Sequence, residues 1–370
     1  MINRRRFLWD TLAAAVALRT LPTKVLAART TVISPALMES YRDWMVIDAL
    51  AGINADTLPI SGAVLQQALA SGVTGINWTV STPDFEGTVE SISFVEGLVE
   101  SERSHFLIVR EQADLDRAKQ DKKIGIMLGF QHPQPLETDL KRITIFRRLG
   151  VRIMQLTYNN RGLFGDGCLE PRNGGLTKLG RQAVMRMNEL GVAIDLSHCG
   201  QRTTAEGIEA STRPVLITHA GCSAVHPHPR NKDDRELRAL ADRGGVIGIY
   251  LMPYLVASPT SPTRVHVIEH LDHALKVCGA DHVGVGSDGV LDTFPDTAEQ
   301  RKAFAKDMAN RKKLGIAAPE EDRPPFSPDL NTPQRMEIIA AELQKKGYND
   351  DVVEKVMGKN FYRVLGEIWS

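Results

Sequence analysis

Two histidines and one aspartate carry the chemistry this sequence could do. Gly191-Val-Ala-Ile-Asp-Leu-Ser-His198 is a short apolar run that ends in an imidazole, and Pro214-Val-Leu-Ile-Thr-His219 repeats the pattern. Asp281-His-Val-Gly-Val-Gly-Ser-Asp288 ends in a carboxylate in the same way. Two neutral imidazoles delivered from neighbouring strand ends can grip one divalent ion. A carboxylate beside them can bind the ion or handle a proton. Each residue alone could be a polar strand end satisfied by a loop. Three in matching context point to a site.

Such residues need strands to position them. Eight runs read as strands: 44–49, 72–80, 124–131, 152–158, 192–198, 214–219, 245–251 and 282–288. Most are continuous and rich in Val and Ile, as in strands buried on both faces of a parallel sheet. Helical spacing of apolar residues fills several gaps, at 176–190 (stopped by Gly191), 234–242 and 265–277. Alternating elements of this kind predict an α/β fold, a (β/α)8 TIM barrel, in one domain over 31–370. The C-terminal strand ends of such a barrel are its chemical face. Segment 293–333 breaks the rhythm with charge and proline, including Pro324-Pro325, and reads as a surface excursion after the last strand. An amphipathic helical region is expected over 332–365.

Composition narrows the class. The chain has 370 residues, 42% hydrophobic and 24% charged, which suits one large domain. Its 45 basic and 45 acidic residues cancel, so no basic face for nucleic acid is implied. No apolar run is long enough to span a bilayer. At the N-terminus, Arg4-Arg5, one spacer and Phe7-Leu8 precede an apolar stretch over 12–18, and Val25-Leu-Ala27 offers a cleavage site. This is the pattern of a twin-arginine export signal over 1–30, although Asp10 and Arg19 interrupt it. A periplasmic or secreted protein maturing near Ala28 is expected. The four cysteines form no C-x-x-C pair. Cys199 and Cys222, close to the two histidines, read as small buried thiols or as possible thiolate ligands.

From about 156 to 288 the chain resembles the membrane (renal) dipeptidase family, peptidase M19, of the amidohydrolase superfamily. The resemblance rests on Leu176-Thr177 with Gly180, Met187-Asn188-Glu-Leu-Gly191, Asp195-Leu-Ser-His198 and Pro214-Val-Leu-Ile-Thr-His219. It continues through His228-Pro-Arg-Asn231 with Asp233-Asp234, Gly244-Gly245 and Val283-Gly-Val-Gly-Ser-Asp288. It implies dipeptide hydrolysis at two zinc ions that share a bridging carboxylate. His198 and His219 would hold one metal, and Asp288 would bind the other and act as base. Arg230 would clamp the substrate carboxylate, which its planar fork matches. Tyr158 and Asn231 would lie beside the substrate, and the protein would be a homodimer.

The departures are as informative. Leu50 and Gly52 stand where the family has a histidine and an aspartate, Gln131 replaces the bridging glutamate, and Tyr158 replaces a histidine. Four positive charges would face one carboxylate and a hydroxide among the matched positions, too little compensation for a dry pocket. One zinc-type ion on His198 and His219 is therefore expected. Gln131 through its amide oxygen, Asp288 or water would complete its shell. His132, Asn54, Asp56, His226 and His228 are further residues near enough in sequence to substitute for lost ligands. The functional expectation is a metal hydrolase of amide bonds in small carboxylate-bearing substrates. A scaffold turned to a lyase, isomerase or tailoring reaction, or to binding alone, stays open.

Overall fold

The computed structural model describes residues 33–55 and 57–370; the export signal expected over 1–30 and Asp56 lie outside the described residues. Eight parallel strands form the barrel: β1 Ile47–Asp48, β2 Gly75–Thr79, β3 Ile124–Phe130, β4 Val151–Gln155, β5 Ala193–Asp195, β6 Leu216–Ala220, β7 Val246–Ile249 and β8 Val283–Val285. β1 pairs with both β8 and β2, and β2 pairs with β3, which closes the ring. Six lie within an expected run; β4 begins one residue before its run, at Val151, and β6 ends one residue past its run, at Ala220. Every residue of β3 is buried, as its continuous apolar sequence requires.

Two short additions escaped the sequence reading. Phe106–Ile108 runs parallel to the first half of β3, before β4 takes over the pairing at Leu128. Ala51–Gly52 pairs with Gly289–Val290 just beyond β1 and β8. The expected helices are present as Lys178–Leu190, Asp234–Asp242 and Arg264–Cys278. Thr177 caps the first by accepting from the Gly180 N–H, and Gly191 ends it in the left-handed region. A reciprocal Asp233–Glu236 box opens the second. The C-terminal region resolves into Arg335–Lys346, Asp350–Glu354 and Asn360–Trp369. Phe361, Val364, Leu365 and Ile368 of the last helix pack with Ile47, Ala193, Leu216 and Val246, the first residues of four strands. The end of the barrel opposite the site is thus sealed by apolar side chains.

The excursion 293–333 lies across the C-terminal ends. It carries the helix Ala298–Lys313. Asn159 and Asn160 donate side-chain N–H groups to the carbonyls of Ile316 (2.9 Å) and Gly315 (2.8 Å), and His228 Nε2 donates to that of Pro319 (2.8 Å). In return, the Ser327 hydroxyl donates to the Leu251 carbonyl at 3.1 Å, and Arg323 donates to those of Pro253 and Thr260. The excursion is therefore a lid.

Candidate active site

His198, three residues past β5, and His219, within β6, meet at the mouth. Their Nε2 atoms are 3.0 Å apart, and both side chains are buried. Neighbouring groups fix which nitrogen of each ring carries hydrogen. Asn159 turns its NH2 to the lid, so its Oδ1 faces His198 Nδ1 at 2.7 Å and must accept from it. Thr218 Oγ1 donates to Asp195 Oδ2 at 2.7 Å, so it accepts from His219 Nδ1, 2.8 Å away. Both rings thus hold hydrogen on Nδ1 and turn bare Nε2 lone pairs towards each other. Two lone pairs repel unless a cation stands between them. A proton is disfavoured there: burial first, then the Arg230 charge, push both imidazoles well below the usual histidine range.

Asp195, from the Asp195-Leu-Ser-His198 stretch, organises this pair. Its Oδ1 accepts from the Ser197 N–H (3.0 Å), the Ser197 hydroxyl (2.5 Å) and the Thr218 N–H (3.0 Å). Burial nevertheless holds its carboxyl above the ordinary range. Glycine lets the strands close in behind Thr218: a Cβ at Gly248 or Gly286 would sit 2.1 or 1.9 Å from the Thr218 carbonyl oxygen.

Asp288 follows β8 at φ +55°, a left-handed conformation that aspartate tolerates better than most residues. Its Oδ1 accepts from Gln131 Nε2 at 3.1 Å, and the same nitrogen lies 3.5 Å from His219 Nε2. Gln131 thus stands between the aspartate and the imidazole as a donor. Its amide oxygen, the atom expected to bind metal, would reach the pair only by a flip that breaks the bond to Asp288. Burial drives the Asp288 carboxyl up to about 6, against the pull of Arg230 and the Gln131 bond.

Arg230 is buried beside the pair. Its Nη1 donates to the Ser197 carbonyl at 2.7 Å and its Nη2 approaches the His219 carbonyl at 3.4 Å. The guanidinium also lies over the Tyr250 ring, 5.7 Å from its centroid. Tyr158 stacks on His198, ring centroids 4.4 Å apart and planes 20° apart. Asn231 is spent on structure: its NH2 donates to the carbonyls of His226 (2.8 Å) and Tyr254 (3.0 Å), and its Oδ1 accepts from the Tyr250 hydroxyl at 2.5 Å.

The candidate substitute ligands go elsewhere. His226 pairs with Glu320 at 3.3 Å and His228 grips the lid. Asn54 gives both its backbone and side-chain N–H to Asp292. His132 is half-buried, edge-on to Tyr158, and desolvation pushes its pKa down to about 4. Cys199 is a buried thiol that accepts from the Thr157 hydroxyl at 3.3 Å, and burial raises its pKa to about 12.

The donor set fits one ion. The facing Nε2 lone pairs of His198 and His219 ask for a cation, and each ring is braced from behind as metal-bound histidines are. Among the described residues no third histidine, cysteine or acidic side chain joins them in a cluster. The positions where the family has ligands for a second ion hold other groups here. Leu50 is buried and apolar, and the open side of Gly52 faces the Trp78 indole, 3.6 Å from where a Cβ would stand.

A parallel barrel with paired imidazoles at its strand ends defines a metal-dependent hydrolase of the amidohydrolase type. A family model described as Membrane dipeptidase (Peptidase family M19) matches residues 45–314, and the chain belongs to that family, whose members are metal-dependent hydrolases. Dipeptidase tcpJ of Claviceps purpurea (strain 20.1) is 26% identical over 355 residues, which cover 89% of this chain and 76% of that protein. The crystal structure of an amidohydrolase from Pseudomonas aeruginosa aligns with a TM-score of 0.80 at 31% identity, covering 90% of this chain and 99% of that one. A metallo peptidase from Rhodobacter sphaeroides, solved with a phosphinate mimic of the dipeptide L-Ala-D-Ala, shares the fold. Its TM-score is 0.72 at 20% identity, covering 88% and 99% of the two chains.

Proposed function

We propose that this protein is an exported, dipeptidase-like hydrolase that cleaves an amide bond in a small carboxylate-bearing substrate, with one zinc-type ion held by His198 and His219. The observation that carries the reading is the pair of bare Nε2 atoms 3.0 Å apart, each ring braced through Nδ1. When bound, such an ion supplies Lewis acidity, polarising a carbonyl and acidifying water.

The rest is done by the chain. Asp288 receives a proton from the attacking water; with Oδ1 held by Gln131, Oδ2 is the oxygen left to take it. A carboxyl pushed up to about 6 is ionised at neutral pH yet more basic than an ordinary one. The same residue then returns the proton to the departing amine. Arg230, anchored on the Ser197 carbonyl, offers its remaining N–H groups to the substrate carboxylate. The lid covers part of the mouth.

A second reading, a family scaffold turned to another reaction, draws on Gln131, whose NH2 stands where a bridging carboxylate is expected. Elemental mass spectrometry on the wild type and on His198→Ala/His219→Ala, with dipeptide turnover measured alongside, separates the two. About one ion per chain, lost in the variant together with turnover, supports the hydrolase. One ion without turnover on any dipeptide favours the second reading, and a metal-free wild type sinks the first.

A further inference from the structure

The lid reaches into the site with the side chain of Arg311. Arg311, in its helix, donates from Nη2 to the Tyr158 hydroxyl oxygen at 3.3 Å and to Glu321 Oε1 at 2.6 Å. Its guanidinium lies 5.8 Å from the Tyr158 ring centroid. Glu321 is itself fixed, since its Oε2 accepts from the Ala318 N–H at 2.7 Å. Tyr158 is therefore held from two sides, by the His198 ring against its face and by Arg311 at its oxygen.

This arrangement decides what the phenol can do. A phenol accepts through its oxygen lone pairs and donates one proton. A guanidinium has no lone pair to accept with, so the Tyr158 O–H must turn away from Arg311. Among the described residues no protein group accepts that proton. Burial holds the phenol above its ordinary pKa, so it stays protonated at neutral pH. Asp288 lies close enough for its charge to act on the ring. The unspent donor thus stands beside the imidazole pair and the proposed base.

We propose that Arg311 is a positioning residue: by occupying the Tyr158 oxygen it aims the phenol O–H at a substrate oxygen, the carbonyl that becomes an oxyanion when the amide is attacked. This rests on the hydrolase reading above. It makes the lid part of the site, and it selects acyl substrates whose carbonyl comes within reach of the Tyr158 hydroxyl. Arg311 forms no bond with the substrate and acts only through Tyr158.

The test compares metal-loaded wild type with Tyr158→Phe, Arg311→Met, Arg311→Lys and the Tyr158→Phe/Arg311→Met pair. The readouts are kcat and KM on a dipeptide, and affinity for a phosphinate dipeptide mimic. Tyr158→Phe and Arg311→Met should each lower kcat by about 10²-fold, the scale of one lost oxyanion donor, with KM nearly unchanged and metal content intact. The double variant should be no worse than either single, and Arg311→Lys should recover part of the loss. An unchanged kcat in Arg311→Met, or losses that multiply in the double variant, would overturn the proposal. Should the wild type neither turn over dipeptides nor bind the phosphinate, the hydrolase reading fails by itself. Amide hydrogen exchange then judges the Arg311–Tyr158 link: each single variant should deprotect both 156–161 and 311–321, and deprotection confined to its own segment rejects it.

Discussion

At the ends of β5 and β6 the polar groups of the site are partnered: Asp195 accepts from Ser197 and Thr218, Thr218 braces His219, and Asn159 braces His198. At the ends of β1 and β2 the mouth is lined by Leu50 and by Trp78 over Gly52. There Asp48 Oδ2 and Asn77 Oδ1 are buried with no hydrogen-bond partner. Burial raises the Asp48 carboxyl above its usual range, despite its bonds from Ser287. The two sides share one barrel but not one network. The imidazole pair is braced entirely from its own side, so losing the ligands of a neighbouring ion does not disturb it.

The most drastic way to break this comparison is to restore the missing side. Leu50→His/Gly52→Asp/Gln131→Glu returns three ligands, and its metal content should rise from about one to about two ions per chain. If it stays at one, the obstacle is the Trp78 indole rather than the missing ligands. Asp288→Asn should keep its metal while kcat falls by about 10²- to 10⁴-fold, the usual worth of a general base. In the wild type, kcat/KM should climb with pH through about 6, as the Asp288 carboxyl ionises, and level off above; a flat profile from pH 5 to 8 would remove Asp288 from the base role. Thr218→Val cuts the link between Asp195 and His219 at nearly constant volume. Metal affinity, measured by chelator competition, should fall about 10- to 100-fold, as for other changes behind a ligand.

A further effect is on stability. Burial holds His132, His228 and His270 at about 4 and pushes His198 and His219 down as well. The unfolded chain binds protons on these residues near pH 6.5 while the native one does not. The stability they contribute is full above that pH and is lost as pH falls towards 4, at about 1.4 kcal/mol per pH unit for each. The raised carboxyls Asp48, Asp195 and Asp288 have the opposite sign, since their ionisation costs stability as pH rises above about 4. The histidines outnumber them. Urea midpoints at pH 7 and pH 5 should therefore differ in favour of pH 7, and equal midpoints would mean the imidazoles are not buried neutral.

The eight barrel strands were legible because parallel strands buried on both faces need unbroken apolar runs, and such runs carry their own signal. The site residues at their ends were legible for the same reason, as polar punctuation after an apolar stretch. Phe106–Ile108 was not legible: three residues paired to half a strand give no periodicity. The roles of Asn159, Thr218 and Asp195 were hidden because a brace is defined by which atom it faces, and that depends on the fold. The lid was seen only as charge and proline. Its bonds run to residues far away in sequence, and its contribution to the site, Arg311, sits on a helix with a mostly polar surface and only Met308 buried. Gln131 shows the converse limit. Its position was readable, but which end of its amide faces the imidazole pair was not.

The barrel holds its cover by main-chain oxygens: Asn159, Asn160 and His228 grip the carbonyls of Ile316, Gly315 and Pro319. A carbonyl is the same whatever side chain accompanies it. Side chains at those three lid positions can therefore change without removing these bonds. The hold of Arg311, Arg323 and Glu320 is different, because there the lid's own side chains bond to the barrel and cannot be exchanged in that way.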